Sequence, residues 1–190
     1  MEPFKKIKSL VTPLDKVNVD TDQIVPKQFL KLIQRTGFGK YLFYDWRYEK
    51  DDTPRKDFIL NDPIYKNSRI LLARDNFGCG SSREHAVWAL DDYGFKVIIS
   101  TSFADIFYNN CFKNGILPIT VSDDVLQKLF STKSEIEVDL ENQTIIIDDS
   151  YISFHIEPHW KRILLEGLDD IAMTLQHEDQ IAKYERLHKI

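Results

Sequence analysis

The chain has 190 residues, of which 43% are hydrophobic, enough for one ordinary domain with a real core. Its formal net charge of −5 argues against nucleic acid, whose phosphates call for a basic surface. No apolar run approaches the ~20 residues that span a bilayer, and the two cysteines, Cys79 and Cys111, give no disulfide framework, which suits a reducing cytoplasm.

In chain order, Met1 to Lys6 lacks the apolar stretch of a secretory signal. Ile7–Val11 reads as an opening strand, Asn18–Gln23 as a polar loop, and Pro26–Ile33 as a short helix with Pro near its first turn. Tyr41–Asp52 mixes aromatic and charged residues without a clear period, which fits a partly buried loop as well as a binding stretch. Arg69–Ala73 is a short apolar run expected to be a buried strand, and a glycine-bearing loop and a helix through Glu84–Leu90 follow it. Lys96–Ser100 is the next strand, Phe103–Asn114 a helix ended by Gly115, and Ile116–Ile119 another strand. This alternation predicts a parallel sheet with crossover helices.

After a helix near Val125–Phe130 the period changes to two. Glu135–Leu140, Gln143–Asp148 and Tyr151–Ile156 read as an antiparallel meander with turns at Glu141-Asn142 and Asp149-Ser150. From Pro158 the chain reads as helical, with Leu164, Leu165, Leu168, Ile171, Leu175, Ile181, Tyr184 and Leu187 spaced like one apolar face. The fold class is therefore α/β with an added antiparallel section over 1–157 and a helical extension of the same domain over 158–190.

The chemistry concentrates in Asp75-Asn-Phe-Gly-Cys-Gly-Ser-Ser-Arg-Glu-His85. Gly78 and Gly80 permit positive φ and close approach of a ligand. Ser81-x-x-Glu84 has the form of a capping box, a purely structural role. Yet a loop leaving the C-terminal end of a parallel strand is where open α/β sheets bind ligands, and a helix start offers N–H donors to anions. An arginine in a first turn opposes the helix dipole, so Arg83 reads better as a bidentate grip on a carboxylate. The residues alone leave the cap and the oxyanion site both open. A phosphate loop would need a Lys that is missing here. Cys79 with His85 admits a thiol nucleophile as a rival, although a His one turn into a helix more often packs. His177-Glu178-Asp179 lacks metal-ligand spacing and reads as a solvated helix face.

Asn18-Val-Asp-Thr-Asp-Gln-Ile-Val-Pro-Lys-Gln-Phe-Leu30, Leu72 to Ala86 around Gly78-Cys-Gly-Ser-Ser-Arg-Glu84, Ser102 to Gly115, Gly167-Leu-Asp-Asp-Ile171 and Thr174 to Asp179 together resemble the small subunits of 3-isopropylmalate dehydratases. These are separate-chain forms of the swivelling domain of aconitase-like hydro-lyases. One departure is Val87, where bacterial relatives often carry Pro. The resemblance implies a swivelling β/β/α domain of the aconitase C-terminal type, with a helical C-terminal tail. It implies a heterodimer active only with a large subunit, which isomerises 2-isopropylmalate to 3-isopropylmalate through 2-isopropylmaleate in leucine biosynthesis. In the family a four-iron four-sulfur cluster on the large subunit acts as Lewis acid on the departing hydroxyl. Two cysteines are too few to hold such a cluster in this chain.

Carried over residue by residue, Ser81 matches the catalytic serine that removes a carbon-bound proton, Ser82 a hydrogen-bonding neighbour and Arg83 the grip on a substrate carboxylate. Asp20, Thr21 and Asp22 form a second loop at the cleft, counted as substrate-binding without a physical role. Phe38, Leu42, Phe43 and Trp46 are candidates to meet the isopropyl group. Glu84 is expected to be structural and Cys79 unimportant. Citramalate/citraconate or homoaconitate chemistry on the same scaffold, and a non-catalytic dicarboxylate-binding module, are the alternatives.

Overall fold

The computed structural model describes residues 1–31 and 36–188. Its first extended stretch is two strands, β1 (Ile7–Ser9) and β2 (Val11–Leu14), which belong to different sheets. The expected single strand Ile7–Val11 is thus split at Leu10. There the carbonyl leaves the ladder and accepts from the Ser9 and Ser68 hydroxyls at 2.7 and 2.8 Å. Two short helices, α1 (Thr21–Ile24) and α2 (Tyr44–Arg47), lie in the long connection to β3 (Ile70–Ala73). The stretch expected to be a helix from Pro26 is a single 3₁₀ turn at Lys27–Phe29, and its end at 32–33 lies outside the described residues.

From β3 the chain alternates regularly: α3 (Glu84–Tyr93), β4 (Val97–Ser100), α4 (Asp105–Lys113), β5 (Leu117–Thr120) and α5 (Asp123–Ser131). Then come the meander β6 (Ile136–Asp139), β7 (Thr144–Ile147) and β8 (Ser150–Ser153), and the helices α6 (Pro158–Glu166), α7 (Asp170–Leu175) and α8 (Glu178–His188). One sheet is parallel in the order β2-β3-β4-β5, the other antiparallel in the order β1-β6-β7-β8.

Alternation along the parallel strands divides the interior in two, because successive side chains point to opposite faces. Ile70, Leu72, Val97, Ile99, Leu117 and Ile119 pack with Ile136, Val138, Ile145 and Ile147 of the antiparallel sheet. Leu71, Ala73 and Ile98 turn the other way and pack with Ala86, Ala89 and Leu90 of α3 and with Phe107 and Cys111 of α4. Sheet, sheet and helices form three layers, the β/β/α arrangement that the resemblance implied.

The helical tail departs from its expected single face. Trp160 stacks on Phe112 with ring centroids 4.8 Å apart, and Ile163 and Leu164 are buried. Gly167, at φ 68°, then ends α6. Beyond it Ile171, Leu175, Tyr184 and Leu187 are exposed. Among the described residues no helix is long and apolar enough to cross a membrane.

One buried charge ties the N-terminal strand to the meander. Asp139 is 2% exposed and meets the Lys6 ammonium at 2.7 Å, while Asn142 donates from N and Nδ2 at 3.0 and 2.7 Å. Burial alone would raise its pKa, but the Lys6 and Asn142 donors outweigh burial and hold it at about 2. A folded-state pKa below the unfolded ~3.9 stabilises the fold above pH ~4, and that contribution is lost as pH falls through the folded value. Asp139→Asn should therefore destabilise by about 2 kcal/mol at pH 6. In urea titrations at a series of pH values, the gap from the unsubstituted chain should close toward pH 2.5; a gap independent of pH would contradict this account.

Candidate active site

At the C-terminal edge of the parallel sheet, strand pairing runs on into the loops. Arg74 N donates to Lys16 O at 3.1 Å, Asn18 N to Asp75 O at 3.0 Å, Gly78 N to Val19 O at 2.8 Å and Thr21 N to Cys79 O at 2.9 Å. On the other side Phe77 N donates to Ser102 O at 3.1 Å, and Ala104 N to Phe77 O at 3.0 Å. The loop after β3 is thus held between the loops after β2 and β4, in the order of the strands themselves. Its backbone hydrogen bonds are largely accounted for, which makes it a rigid platform.

Both loop glycines are required by contact as well as by φ. Gly78 lies at φ 77°, and a Cβ there would sit 2.1 Å from the Phe107 ring. Gly80 lies at φ 91°, and a Cβ there would sit 2.5 Å from a carboxylate oxygen of Asp20. What approaches Gly78 is the Phe107 ring of α4, and what approaches Gly80 is Asp20 of the chain's own second loop.

The expected capping box at Ser81 does not form. The residue that caps α3 is Arg83, in extended conformation and with no side-chain cap bond. Ser81 is held elsewhere: its N–H donates to Thr21 Oγ1 at 3.1 Å, and the Thr21 hydroxyl donates back to Ser81 O at 3.2 Å. Ser81 is thus joined to α1, while α3 starts at Glu84, and among the described residues no side chain caps its first N–H groups. A capping box does form at Asp20-x-x-Gln23: the Asp20 side chain accepts from Asp22 N at 2.6 Å, and Asp20 N donates to Gln23 Oε1 at 2.9 Å.

The Ser81 and Ser82 side chains are exposed, and among the described residues neither hydroxyl has a hydrogen-bond partner. Beside them the Arg83 guanidinium is engaged through Nη1 by Asp22 Oδ1, and Asp22 Oδ2 meets Lys27 Nζ at 3.1 Å. Ser81, Ser82, Arg83 and Asp22 are therefore brought together with open hydroxyls and a cation. Lys27 received no role from the sequence, because its partner lies five positions away across the end of a helix, outside the usual i,i+4 spacing.

Several expected contacts lie elsewhere. Thr21 is 2% exposed and its hydroxyl is occupied by Ser81. Asp20 is committed to the cap of α1. Phe38, Leu42 and Phe43 are fully buried in the core shared with α3, which corrects their reading as isopropyl contacts. Trp46 stays half-buried and lines a cavity of about 300 Å³ with Leu14, Lys16, Arg55, Phe58 and Ile59.

The rival thiol chemistry fares poorly. Burial, with the Asp20 carboxylate nearby, pushes the Cys79 thiol pKa up, the wrong direction for a thiolate nucleophile. His85 packs between Phe38 and Trp88, at 5.4 and 4.7 Å, and burial with the Arg83 charge lowers its pKa. Among the described residues no group of three His, Cys, Asp or Glu side chains converges as a metal would require.

Residues 1–124 match the aconitase C-terminal domain family, and residues 170–189 match the C-terminal domain of the 3-isopropylmalate dehydratase small subunit. The chain is similar to the 3-isopropylmalate dehydratase small subunit of Brevibacillus brevis, at 55% identity over 97% of this chain and 98% of that one. It is similar to the small subunit of Oceanobacillus iheyensis at 56% identity, over 97% and 98% of the two chains. The corresponding subunit of Bacillus subtilis is 54% identical over 97% and 96%. Among solved structures, a crystal structure of 3-isopropylmalate dehydratase from Methanocaldococcus jannaschii superposes with a TM-score of 0.71 at 26% identity, covering 95% of this chain and 99% of that one. With relatives this similar from end to end, the chain belongs to the 3-isopropylmalate dehydratase small-subunit family, built on the aconitase C-terminal domain.

Proposed function

We propose that this chain is the small subunit of a hydro-lyase that isomerises 2-isopropylmalate to 3-isopropylmalate through 2-isopropylmaleate, in leucine biosynthesis. The observation that carries the reading is identity above half, over nearly the whole length, to chains of that name. The exposed Ser81-Ser82-Arg83 platform supports it as one wall of a site. The other wall belongs to a large subunit, since nothing among the described residues closes over those hydroxyls. We assign the protein to the cytoplasm, where two unbridged thiols stay reduced. Residues 1–157 serve as the swivelling domain, and the helices beyond are its extension.

A four-iron four-sulfur cluster does not fit this chain's own donors. There are two cysteines; Cys111 is sealed in the core and Cys79 stands alone. We place the cluster on the large subunit. In this reading the Ser81 hydroxyl, as its anion, takes the proton from the carbon next to the one that loses hydroxide. An unassisted serine is far too weak an acid for that role. The uncapped N–H groups at the start of α3 and the Arg83 charge lower the cost of the anion. Ser82 adds a hydrogen bond to the substrate, Arg83 grips a carboxylate, and Trp46 is the remaining aromatic candidate for the isopropyl side.

The chain should be inactive alone and should hydrate 2-isopropylmaleate when co-expressed anaerobically with a cluster-bearing large subunit; activity of the isolated chain would overturn the division of labour. In the assembled enzyme Ser81→Ala should lower kcat by about 10²–10⁴-fold with assembly intact, and near-normal turnover would remove Ser81 from the base role. Thr21→Val keeps the shape and removes the clasp hydroxyl. It should cost about ten-fold in kcat through misplacement of Ser81, and Thr21→Ser should recover most of it.

A further inference from the structure

The Arg83 grip has a support that neither its sequence position nor the family likeness assigns. Arg83 is 20% exposed, so its charge is substantially desolvated and its pairing matters more than that of a surface ion pair. Asp22 engages one nitrogen, Nη1, and among the described residues Nε and Nη2 have no partner. A guanidinium held by one corner presents its remaining edge as a two-donor fork, the geometry that matches a carboxylate bidentately.

Asp22 is itself fixed on three sides. Its N–H is bound by Asp20 Oδ1 at 2.6 Å, its Oδ2 by Lys27 Nζ at 3.1 Å, and its preceding residue Thr21 clasps Ser81. Two adjacent residues of α1 therefore hold two residues of the opposite loop: Thr21 holds Ser81, and Asp22 holds Arg83. The separation between base and grip is set by this double attachment. Charge adds a second requirement. A bare carboxylate beside the grip would repel an incoming dicarboxylate, and Lys27 on the other oxygen offsets it, so that the Asp22–Lys27–Arg83 triad carries one net positive charge.

We propose that Asp22 is the positioning residue that aims the free edge of Arg83 at a substrate carboxylate, and that Lys27 neutralises Asp22 so that aiming does not cost attraction. This rests on the reading of Arg83 as the substrate grip.

The test is steady-state hydration of 2-isopropylmaleate by the assembled holoenzyme, comparing Asp22→Asn, Asp22→Glu, Lys27→Gln, Arg83→Gln and the Asp22→Asn/Arg83→Gln pair, with thermal melting of each assembly. Arg83→Gln should raise KM strongly. Asp22→Asn should raise KM about ten-fold while kcat falls far less, Asp22→Glu should recover part of the loss, and Lys27→Gln should raise KM severalfold. The double variant should bind no worse than Arg83→Gln alone, because coupled residues are not additive. If Arg83→Gln raises KM and Asp22→Asn does not, or if the two effects add, the positioning role is overturned while the grip stands. A drop in melting temperature and kcat with KM unmoved marks Asp22 as merely structural and overturns it likewise. An unchanged KM in Arg83→Gln removes the grip itself, and the inference with it.

Discussion

The hydroxyl of Thr21 is the small group on which the site depends. It accepts the N–H of Ser81 and donates to its carbonyl, joining two loops that follow different strands of the parallel sheet. Everything chemically distinctive sits on one side or the other of that contact. Gly80 lets the second loop come close enough for it to form, while Gly78 makes room for the Phe107 ring of α4. The helix α3 starts only at Glu84, and among the described residues no side chain caps its first N–H groups. An uncapped start is a deficit for a helix and an asset for an anion site, because the same N–H groups that go unsatisfied are available to a ligand.

This arrangement also explains why polar residues tolerate partial burial here. Asp20, Asp22, Gln23, Lys27 and Arg83 form a continuous set, linked by the cap of α1 and by the two ion pairs of Asp22. Such networks are rigid because loosening one member exposes the next. Among the described residues the exposed serine hydroxyls and the free edge of Arg83 are the exceptions, and their lack of partners distinguishes a site from a scaffold.

Much of the fold was legible because its patterns are local. Ile70–Ala73 and Val97–Ser100 are short apolar runs between turn signals, and the meander alternates with period two, so each announces itself. The helix at Thr21–Ile24 did not, being one turn long and stabilised by a cap more than by an apolar face. The sequence held two candidate capping boxes, Asp20-x-x-Gln23 and Ser81-x-x-Glu84. The first forms and the second does not, and Ser81 is instead held by a hydroxyl some sixty positions away along the chain, a contact no local pattern encodes. The aromatic stretch failed differently: composition marks Phe38, Leu42 and Phe43 as apolar, but cannot say whether they face a ligand or a core. The loop chemistry at 78–83 was readable as an anion site, whereas the partners that orient it were not.

The switch of sheets at Leu10 bears on how the chain reaches this structure. Adjacent strands β1 and β2 seed two different sheets, and the partner of β1 is β6, with Ile7 opposite Val138. Emerging from a ribosome, β2 gains its neighbour β3 well before the meander has been made, while β1 must wait for it. The N-terminal amine waits longer still, for its bond to Gly167 O at 3.1 Å. Long-range closure of this kind carries high contact order and slows folding. The first strand thus waits unpaired through much of synthesis, and its three-residue length and exposed Lys8 blunt the edge it presents meanwhile.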